Sequence, residues 1–225
     1  MYRRCIIGIL LIGFLVGLVS CSDSPTSPKL ARLVYVAMGA SDAVGIGAWP
    51  LENGYVYKIR DGLKQRANEV ELYNLGVSGK RIAFIEDTEL SVALSCQPHV
   101  VTIWAGPNDI IHGTTVENFE ASLDNILVQL RQSTTAIVVL ANVPDMTLVP
   151  RFLIDPDPDV TSARIAAYNA AIVRKAAAHN APVVDLFTGG YATDWEYVSL
   201  DGFHPSNKGH AKIAELYLDI ILKYL

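Results

Sequence analysis

The sequence predicts an α/β fold, a three-layer α/β/α sandwich around a central, mostly parallel sheet of five strands. Short apolar runs, typical of strands buried on both faces, alternate along the chain with longer stretches of helical period. Because such alternation requires crossover connections, neighbouring strands are expected to run parallel, with helices on both faces of the sheet. The composition agrees, since 51% of the 225 residues are hydrophobic and only 18% are charged, which suits one compact core.

Five apolar runs are predicted to form the strands. Each ends just before a polar or glycine-rich turn, and in chain order they are Leu33–Met38, Val70–Tyr73, Val100–Trp104, Ala136–Leu140 and Pro182–Val184. Parallel strands end at the same edge of a sheet, and in open α/β sheets the ligand-binding groups gather in the loops beyond that carboxyl edge. Functional side chains are therefore expected in the turns that follow these runs.

Two long stretches carry apolar side chains at helical spacing. Ser162–His179 and Ser206–Tyr224 each place a stripe of apolar residues on one face, and Ser206 is a suitable N-cap for the second helix. The segment Asn142–Val160, rich in Pro and Asp, is predicted to be an irregular surface flap. No second domain boundary is evident, so residues 33–225 are predicted to form one domain.

Residues 1–20 are typical of an export signal. Two arginines precede the apolar run Ile6–Val19, which is too short to span a bilayer comfortably. The tetrapeptide LVSC at 18–21 resembles the bacterial lipobox, in which Cys21 receives the lipid, and residues 21–32 would then form a lipidated Cys and flexible tether. We therefore expect an exported protein of the cell envelope, lipid-anchored to a bacterial membrane. An ordinary cleaved signal and an uncleaved anchor are the alternatives.

The charge balance argues against a nucleic-acid partner. The chain has 18 basic and 23 acidic residues, a formal net charge of −5, and no run of Lys or Arg that could follow a phosphate backbone. Two of the three cysteines, Cys5 and Cys21, belong to the N-terminal segment. This leaves Cys96 as a predicted small, buried thiol without a disulfide partner.

A serine follows the first predicted strand. Residues 38–48, MGASDAVGIGA, place Ser41 at the strand exit, with glycines on both sides that permit a tight turn. The spacing matches neither the P-loop nor the dinucleotide-binding fingerprint, and Ala43 stands where the nucleophile elbow of α/β-hydrolases has glycine. The turn therefore favours an available serine hydroxyl over a phosphate-binding loop.

An aspartate and a histidine near the C-terminal end could activate that serine. In DGFHPSNKGH, residues 201–210, Asp201 precedes His204 by three positions, so its carboxylate can reach Nδ1 of that ring. Nε2 would then be free to accept the proton of Ser41, while the carboxylate fixes the tautomer. Taken alone, Asp-x-x-His is more often a helix cap beside a surface histidine. The other motifs favour the catalytic interpretation.

Two further loops supply candidate donors for an oxyanion. NLGVSGKRI, residues 74–82, follows the second strand, and WAGPNDI, residues 104–110, follows the third. The backbone N–H of Gly79, the side-chain amide of Asn108 and the backbone N–H of Ser41 would hold the oxyanion of a tetrahedral intermediate. This chemistry needs no metal and no organic cofactor.

Together these segments resemble the SGNH hydrolases, or GDSL-type lipases and esterases, whose name gives the Ser, Gly, Asn and His of four blocks. The blocks match residues 39–42, Gly79, residues 106–109 and residues 201–204, in the family's order. The resemblance implies the flavodoxin-like SGNH fold and a serine esterase that hydrolyses carboxylic esters. The implied site residues are a catalytic triad of Ser41, Asp201 and His204, and an oxyanion hole of Ser41, Gly79 and Asn108.

The first block departs from the family's usual Gly-Asp-Ser-Leu. Ala40 replaces the aspartate and Asp42 replaces an apolar residue. In the family that aspartate helps to hold neighbouring backbone, so the hydrogen bonding around Ser41 is expected to differ.

The substrate is left open between lipid or lysophospholipid acyl esters, acetylated carbohydrates and thioesters. Apolar residues in the predicted flap slightly favour acyl chains. A non-catalytic cell-envelope lipoprotein that keeps the fold as a binding module is the alternative to an enzyme, and a flavodoxin-like phosphate or flavin binder is a third interpretation. The aromatic residues near strand ends are expected in the core rather than in a pocket; they are Trp104, Tyr191, Trp195 and Tyr197.

Overall fold

A parallel sheet of five strands forms the centre of the computed structural model, which describes residues 29–225. The strands are β1 (Leu30–Gly39), β2 (Ala67–Asn74), β3 (Val100–Trp104), β4 (Ile137–Ala141) and β5 (Val183–Val184). Their spatial order is β2-β1-β3-β4-β5, and each neighbouring pair is parallel. The prediction of an α/β fold with a five-stranded parallel sheet is confirmed.

The start of β1 differs from the sequence prediction. The strand begins at Leu30 rather than Leu33, because it pairs with β2 from its first residue, with Leu30 opposite Ala67. The predicted signal, the lipobox and the lipidated Cys21 lie outside the described residues.

Helices follow the strands along the chain. Their bounds are α1 (Ser41–Val44), α2 (Tyr55–Leu63), α3 (Ile82–Phe84), α4 (Leu90–Ser95), α5 (Pro107–Ile111), α6 (Val116–Ser133), α7 (Pro150–Ile154), α8 (Ser162–Ala178) and α9 (Asn207–Ile221). A π-helical turn, Ile85–Glu89, joins α3 to α4. The two helices predicted from apolar spacing correspond to α8 and α9. The hydroxyl oxygen of Ser206 caps α9 by accepting a 3.2 Å hydrogen bond from the Gly209 N–H.

Side chains of β1 alternate between the two faces of the sheet, as strand geometry requires. Val34 and Val36 pack against α3, α4, α6 and α8 on one face, while Tyr35 and Ala37 pack against α2 and α9 on the other. The sheet is thus the middle layer of three. Within residues 29–225, none of the helices combines the length and the apolar character needed to cross a bilayer.

The prediction of a surface flap over Asn142–Val160 was wrong for the first part of the segment, whereas residues 153–158 are mostly exposed. This segment contains a 3-10 turn, Met146–Leu148, followed by α7, and the side chains of Met146, Val149 and Phe152 are buried in the main apolar cluster. Their burial outweighs the turn-forming character of the Pro and Asp residues. Cys96 is half-buried rather than fully buried.

Candidate active site

The structure brings the four predicted blocks together at the carboxyl edge of the sheet. Ser41 opens α1 directly after β1, and His204 reaches it from the loop before α9. The Oγ atom of Ser41 lies 2.9 Å from Nε2 of His204, and Nδ1 of His204 lies 2.6 Å from Oδ2 of Asp201. Serine, imidazole and carboxylate therefore form one continuous hydrogen-bonded chain.

The turn that carries Ser41 depends on close backbone approaches. A Cβ atom at Gly47 would lie 2.3 Å from the Pro205 carbonyl oxygen and 2.9 Å from Cβ of His204. Gly47 also has a φ of 92°, in the left-handed region that favours glycine. Glycine at this position therefore allows the loop of His204 to pack directly on the serine turn.

A second histidine, His210, forms hydrogen bonds to the same turn and to the start of α2. His210 is fully buried, accepts a hydrogen bond from the Tyr55 N–H at Nδ1 and lies 3.0 Å from the Ile46 carbonyl oxygen at Nε2. Burial lowers the pKa of His210 to about 4, so the ring is neutral near neutral pH and donates from Nε2. His210 is thus a structural anchor of the serine turn.

Asp201 is held as a carboxylate by the turn that carries His204. Its Oδ1 atom accepts hydrogen bonds from the Ser199 hydroxyl and from the N–H groups of Phe203 and His204, at 2.7 to 2.9 Å. Burial raises the pKa of Asp201, but the bonds from Ser199, from the His204 ring and from the two N–H groups outweigh it and lower the pKa to about 2. The carboxylate is therefore charged at neutral pH, and its Oδ2 atom is aimed at the imidazole.

The loop of Gly79 follows β2 and is fixed by the third block. Gly79 has a φ of 77°, which favours glycine. One amide hydrogen of Asn108 binds the Lys80 carbonyl oxygen at 2.9 Å, and the buried carboxyl group of Asp109 accepts from the Ile82 N–H at 3.1 and 3.2 Å. Asn108 retains a second amide hydrogen for a ligand.

Ser41 itself offers a third donor. Its backbone N–H stands in the first turn of α1, where helix geometry provides no intrahelical acceptor. Ser41, Gly79 and Asn108 follow β1, β2 and β3 at the same edge of the sheet, and their role as oxyanion donors stays a prediction.

Asn74 was not predicted from the sequence. At the end of β2, its amide donates to the Ala43 carbonyl oxygen at 2.6 Å and its Oδ1 atom accepts from the Gly76 N–H at 3.2 Å. This side chain joins the serine turn to the loop of Gly79. The only signal in the sequence was its position at a strand exit.

A pocket of about 70 Å³ opens beside Ser41. Its wall is mostly apolar and includes Trp104, Met146, Val149, Tyr191, Tyr197 and Phe203. Trp104 lies in the core as expected, and it also borders this pocket. The expectation of core positions was wrong for Tyr191 and Tyr197, which are half-buried in the pocket wall, and for Trp195, which is 72% exposed.

Two ionisable residues of the site also border this pocket. Asp42 and His204 both lie in its wall. Burial raises the pKa of the Asp42 carboxyl group to about 6, although His204 opposes the shift. Asp42 therefore carries a charge at neutral pH in a wall that is mostly apolar and also contains His204 and Lys212.

Three other histidines lie away from this hydrogen-bonded chain. His99 Nδ1 accepts from the Val34 N–H at 3.0 Å at the start of β3, and His179 Nε2 lies 2.8 Å from the Asp124 carboxylate at the end of α8. His112 is exposed and borders a separate depression beside Gly79.

The fold and the side chains at its carboxyl edge define the class of this protein, a hydrolase that acts on ester bonds. The chain belongs to the GDSL-like lipase/acylhydrolase family, whose sequence model matches residues 32–212. The family predicted from the four blocks is confirmed.

Relatives of this chain span nearly its whole folded part. The spore germination lipase LipC of Bacillus licheniformis is 24% identical over an alignment of 213 positions that covers 81% of this chain and 93% of the relative. The crystal structure of a lipase/acylhydrolase from Enterococcus faecalis has a TM-score of 0.70 at 23% identity, covering 86% of this chain and 97% of that one. The esterase EstA of Pseudoalteromonas sp., solved with monoethylphosphonate as inhibitor, has a TM-score of 0.69 at 18% identity, covering 85% and 97%.

Replacing Asn108 with alanine is expected to lower kcat on an activated ester by about 100-fold, because one donor to the oxyanion is lost. KM should change little, since the donor acts mainly on the transition state. Steady-state kinetics on an aryl ester measure both constants. Asn68→Ala, an exposed amide on β2, is the matched control and should keep the parent kcat. An Asn108→Ala enzyme with the parent kcat would remove this side chain from the oxyanion hole.

Proposed function

We propose that the protein is a serine esterase that hydrolyses carboxylic esters through an acyl-enzyme intermediate. The observation that carries the proposal is the continuous chain from Ser41 Oγ to His204 to Asp201, with distances of 2.9 and 2.6 Å. A serine hydroxyl is a weak nucleophile unless an adjacent base accepts its proton, and this arrangement supplies both the base and the group that orients it.

In the proposed mechanism, Ser41 Oγ attacks the ester carbonyl carbon while Nε2 of His204 takes the serine proton. The oxyanion is held by the N–H groups of Ser41 and Gly79 and by the amide of Asn108. As the tetrahedral intermediate collapses, the C–O bond to the alcohol breaks and His204 gives the proton to the leaving oxygen. Water then attacks the acyl-enzyme with His204 again as base, and the acid is released. The Asp201 carboxylate stabilises the imidazolium in both steps.

For the substrate, we propose esters with an apolar acyl chain longer than acetyl, as in lipid or lysophospholipid esters. The pocket beside Ser41 supports this, because its wall consists mostly of aromatic and aliphatic side chains, which gain from burying methylene groups. The name of the relative LipC, a lipase, agrees. Acetylated carbohydrates are the alternative, and a sharp preference for acetyl over octanoyl esters would favour them.

Asp42 provides a specific test of where the acyl chain lies. Changing it to leucine, the apolar type usual in this position of the family, should lower KM for an octanoyl aryl ester about 5-fold, because a charged carboxylate no longer has to lose water beside the chain. KM for the acetyl ester should stay near that of the parent. Since the pKa of Asp42 is about 6, the carboxylate is charged above that pH, and the effect should be larger at about pH 8 than at about pH 5.

The matched control is Asp219→Leu, which changes an exposed carboxylate on α9 and should leave both KM values unchanged. Equal KM values for parent and Asp42→Leu on the octanoyl ester at both pH values would place the acyl chain outside this pocket.

A further inference from the structure

We propose that Glu89 is a positioning residue for Ser41, and that its carboxyl group takes the place of the one that the first block lacks at Ala40. The proposal rests on the function proposed above. Glu89 ends the π-helical turn between α3 and α4, 48 positions from Ser41 in the sequence, so it belongs to none of the four blocks.

The backbone at the end of β1 lacks a complete set of partners in the sheet. The strand β2 pairs with β1 only up to Asn74, opposite Ala37, and beyond that point the loop after β2 supplies the partners. Val77 donates to the Gly39 carbonyl oxygen at 3.3 Å. The Gly39 N–H needs another acceptor, and Oε2 of Glu89 accepts from it at 2.9 Å. The side chain of Glu89 thus completes the hydrogen bonding of β1 where the sheet ladder ends.

A carboxyl group in this position loses contact with water, which costs free energy. Glu89 is only 2% exposed and follows the buried apolar residues Ile85 and Ile82 on the same side of the sheet. Its Oε1 atom is buried and has no hydrogen-bond partner among the described residues. Burial raises the pKa of Glu89 to about 8, although the bond from Gly39 opposes the shift. A leucine would avoid this desolvation but could not accept a hydrogen bond. The bond from the Gly39 N–H is therefore what the carboxyl group contributes.

The position of Gly39 affects the position of the Ser41 nucleophile. Gly39 lies two residues before Ser41, and a Cβ atom at Gly39 would lie 2.8 Å from the Trp104 carbonyl oxygen. The end of β1 is therefore held between the backbone of β3 on one side and the Glu89 carboxyl group on the other. Ala40, between Gly39 and Ser41, has no side-chain acceptor of its own. A displacement of about 1 Å at a reacting group can cost about 100-fold in rate, so the Glu89 bond acts on kcat rather than on substrate affinity.

The test compares Glu89→Leu, Glu89→Gln, the double variant Glu89→Leu/Ala40→Asp and the control Leu90→Ala. For each purified protein we would measure kcat and KM on an aryl ester, the rate of labelling by a fluorophosphonate, and the unfolding temperature. Leu90 is buried beside Glu89 in the sequence and has no bond to Gly39, so Leu90→Ala reports loss of packing alone.

We expect Glu89→Leu to lower kcat and the labelling rate by about 10-fold or more, at unchanged KM, because the end of β1 shifts. Glu89→Gln keeps an oxygen acceptor for the Gly39 N–H and should recover most of both rates. Ala40→Asp in the Glu89→Leu background should raise them again, because it restores a carboxyl group to the first block. Leu90→Ala should lower the unfolding temperature and keep the parent kcat.

The outcomes separate this inference from the proposed function. A parent protein that is folded but not labelled contradicts the serine esterase itself. A labelled parent with a Glu89→Leu variant of equal kcat and labelling rate contradicts the role of Glu89, as does a Leu90→Ala variant with the same loss of kcat. If Glu89→Leu does not fold, the double variant decides: recovery of folding and labelling supports the replacement of one carboxyl group by the other, and failure to recover contradicts it.

Discussion

Replacing His204 with alanine is expected to lower kcat on an aryl ester by about 10,000-fold or more, with the fold retained. The ring is the only imidazole among the described residues within hydrogen-bond distance of Ser41 Oγ, at 2.9 Å. Without it the serine proton has no acceptor and the leaving alcohol has no proton donor. Steady-state kinetics give the loss, and circular dichroism with the unfolding temperature reports the fold.

The control for this variant is His179→Ala, since His179 pairs with Asp124 at the end of α8, away from the site. We expect its kcat to stay within about 2-fold of the parent, in the range of surface substitutions. Turnover by His204→Ala within 10-fold of the parent would mean that another group acts as the base, and the proposed mechanism would be wrong.

Replacing Ser41 with alanine is expected to abolish turnover, a loss of about 10⁶-fold in kcat for a serine nucleophile. The change removes one oxygen atom at a position that is only 4% exposed, so the unfolding temperature should stay close to that of the parent. The variant should still bind the ester, because the pocket beside Ser41 is unchanged. Stopped-flow or equilibrium binding of an aryl ester to the variant measures this retained affinity.

Ser91→Ala, which removes an exposed hydroxyl on α4, is the matched control and should keep the parent kcat. A Ser41→Ala protein that still hydrolyses the ester at the parent rate would show that the nucleophile lies elsewhere.

Much of the fold could be predicted from the sequence, because strands buried on both faces must be continuous apolar runs. The run Val100–Trp104 coincides with β3, and the helix predicted from Ser162 coincides with α8 to within one residue. The pairing of Asp201 with His204 was also accessible, since residues three apart in one turn are neighbours. Ser41 and His204, 163 positions apart, could be placed together only by the rule that parallel strands share a carboxyl edge and by the family resemblance.

The remaining features depend on packing between elements that are distant in sequence. Glu89 lies in the acidic stretch Glu86–Glu89, where nothing distinguishes it from its exposed neighbours until the end of β1 is packed against it. The segment after β4 has the Pro and Asp content of a loop, and its burial became visible only once Met146 and Phe152 were in the core. The export signal and Cys21 lie outside the described residues and stay predictions.

The proposed mechanism requires Ser41 to be an activated nucleophile, and covalent labelling of the purified protein by a fluorophosphonate reports this activation. Intact-mass measurement and peptide mapping should find one phosphonyl adduct, on Ser41, with no labelling of Ser41→Ala and slow labelling of His204→Ala. A folded parent that forms no adduct would contradict the proposed serine esterase activity and favour a non-catalytic binding protein. An adduct on any residue other than Ser41 would contradict the assignment of the site.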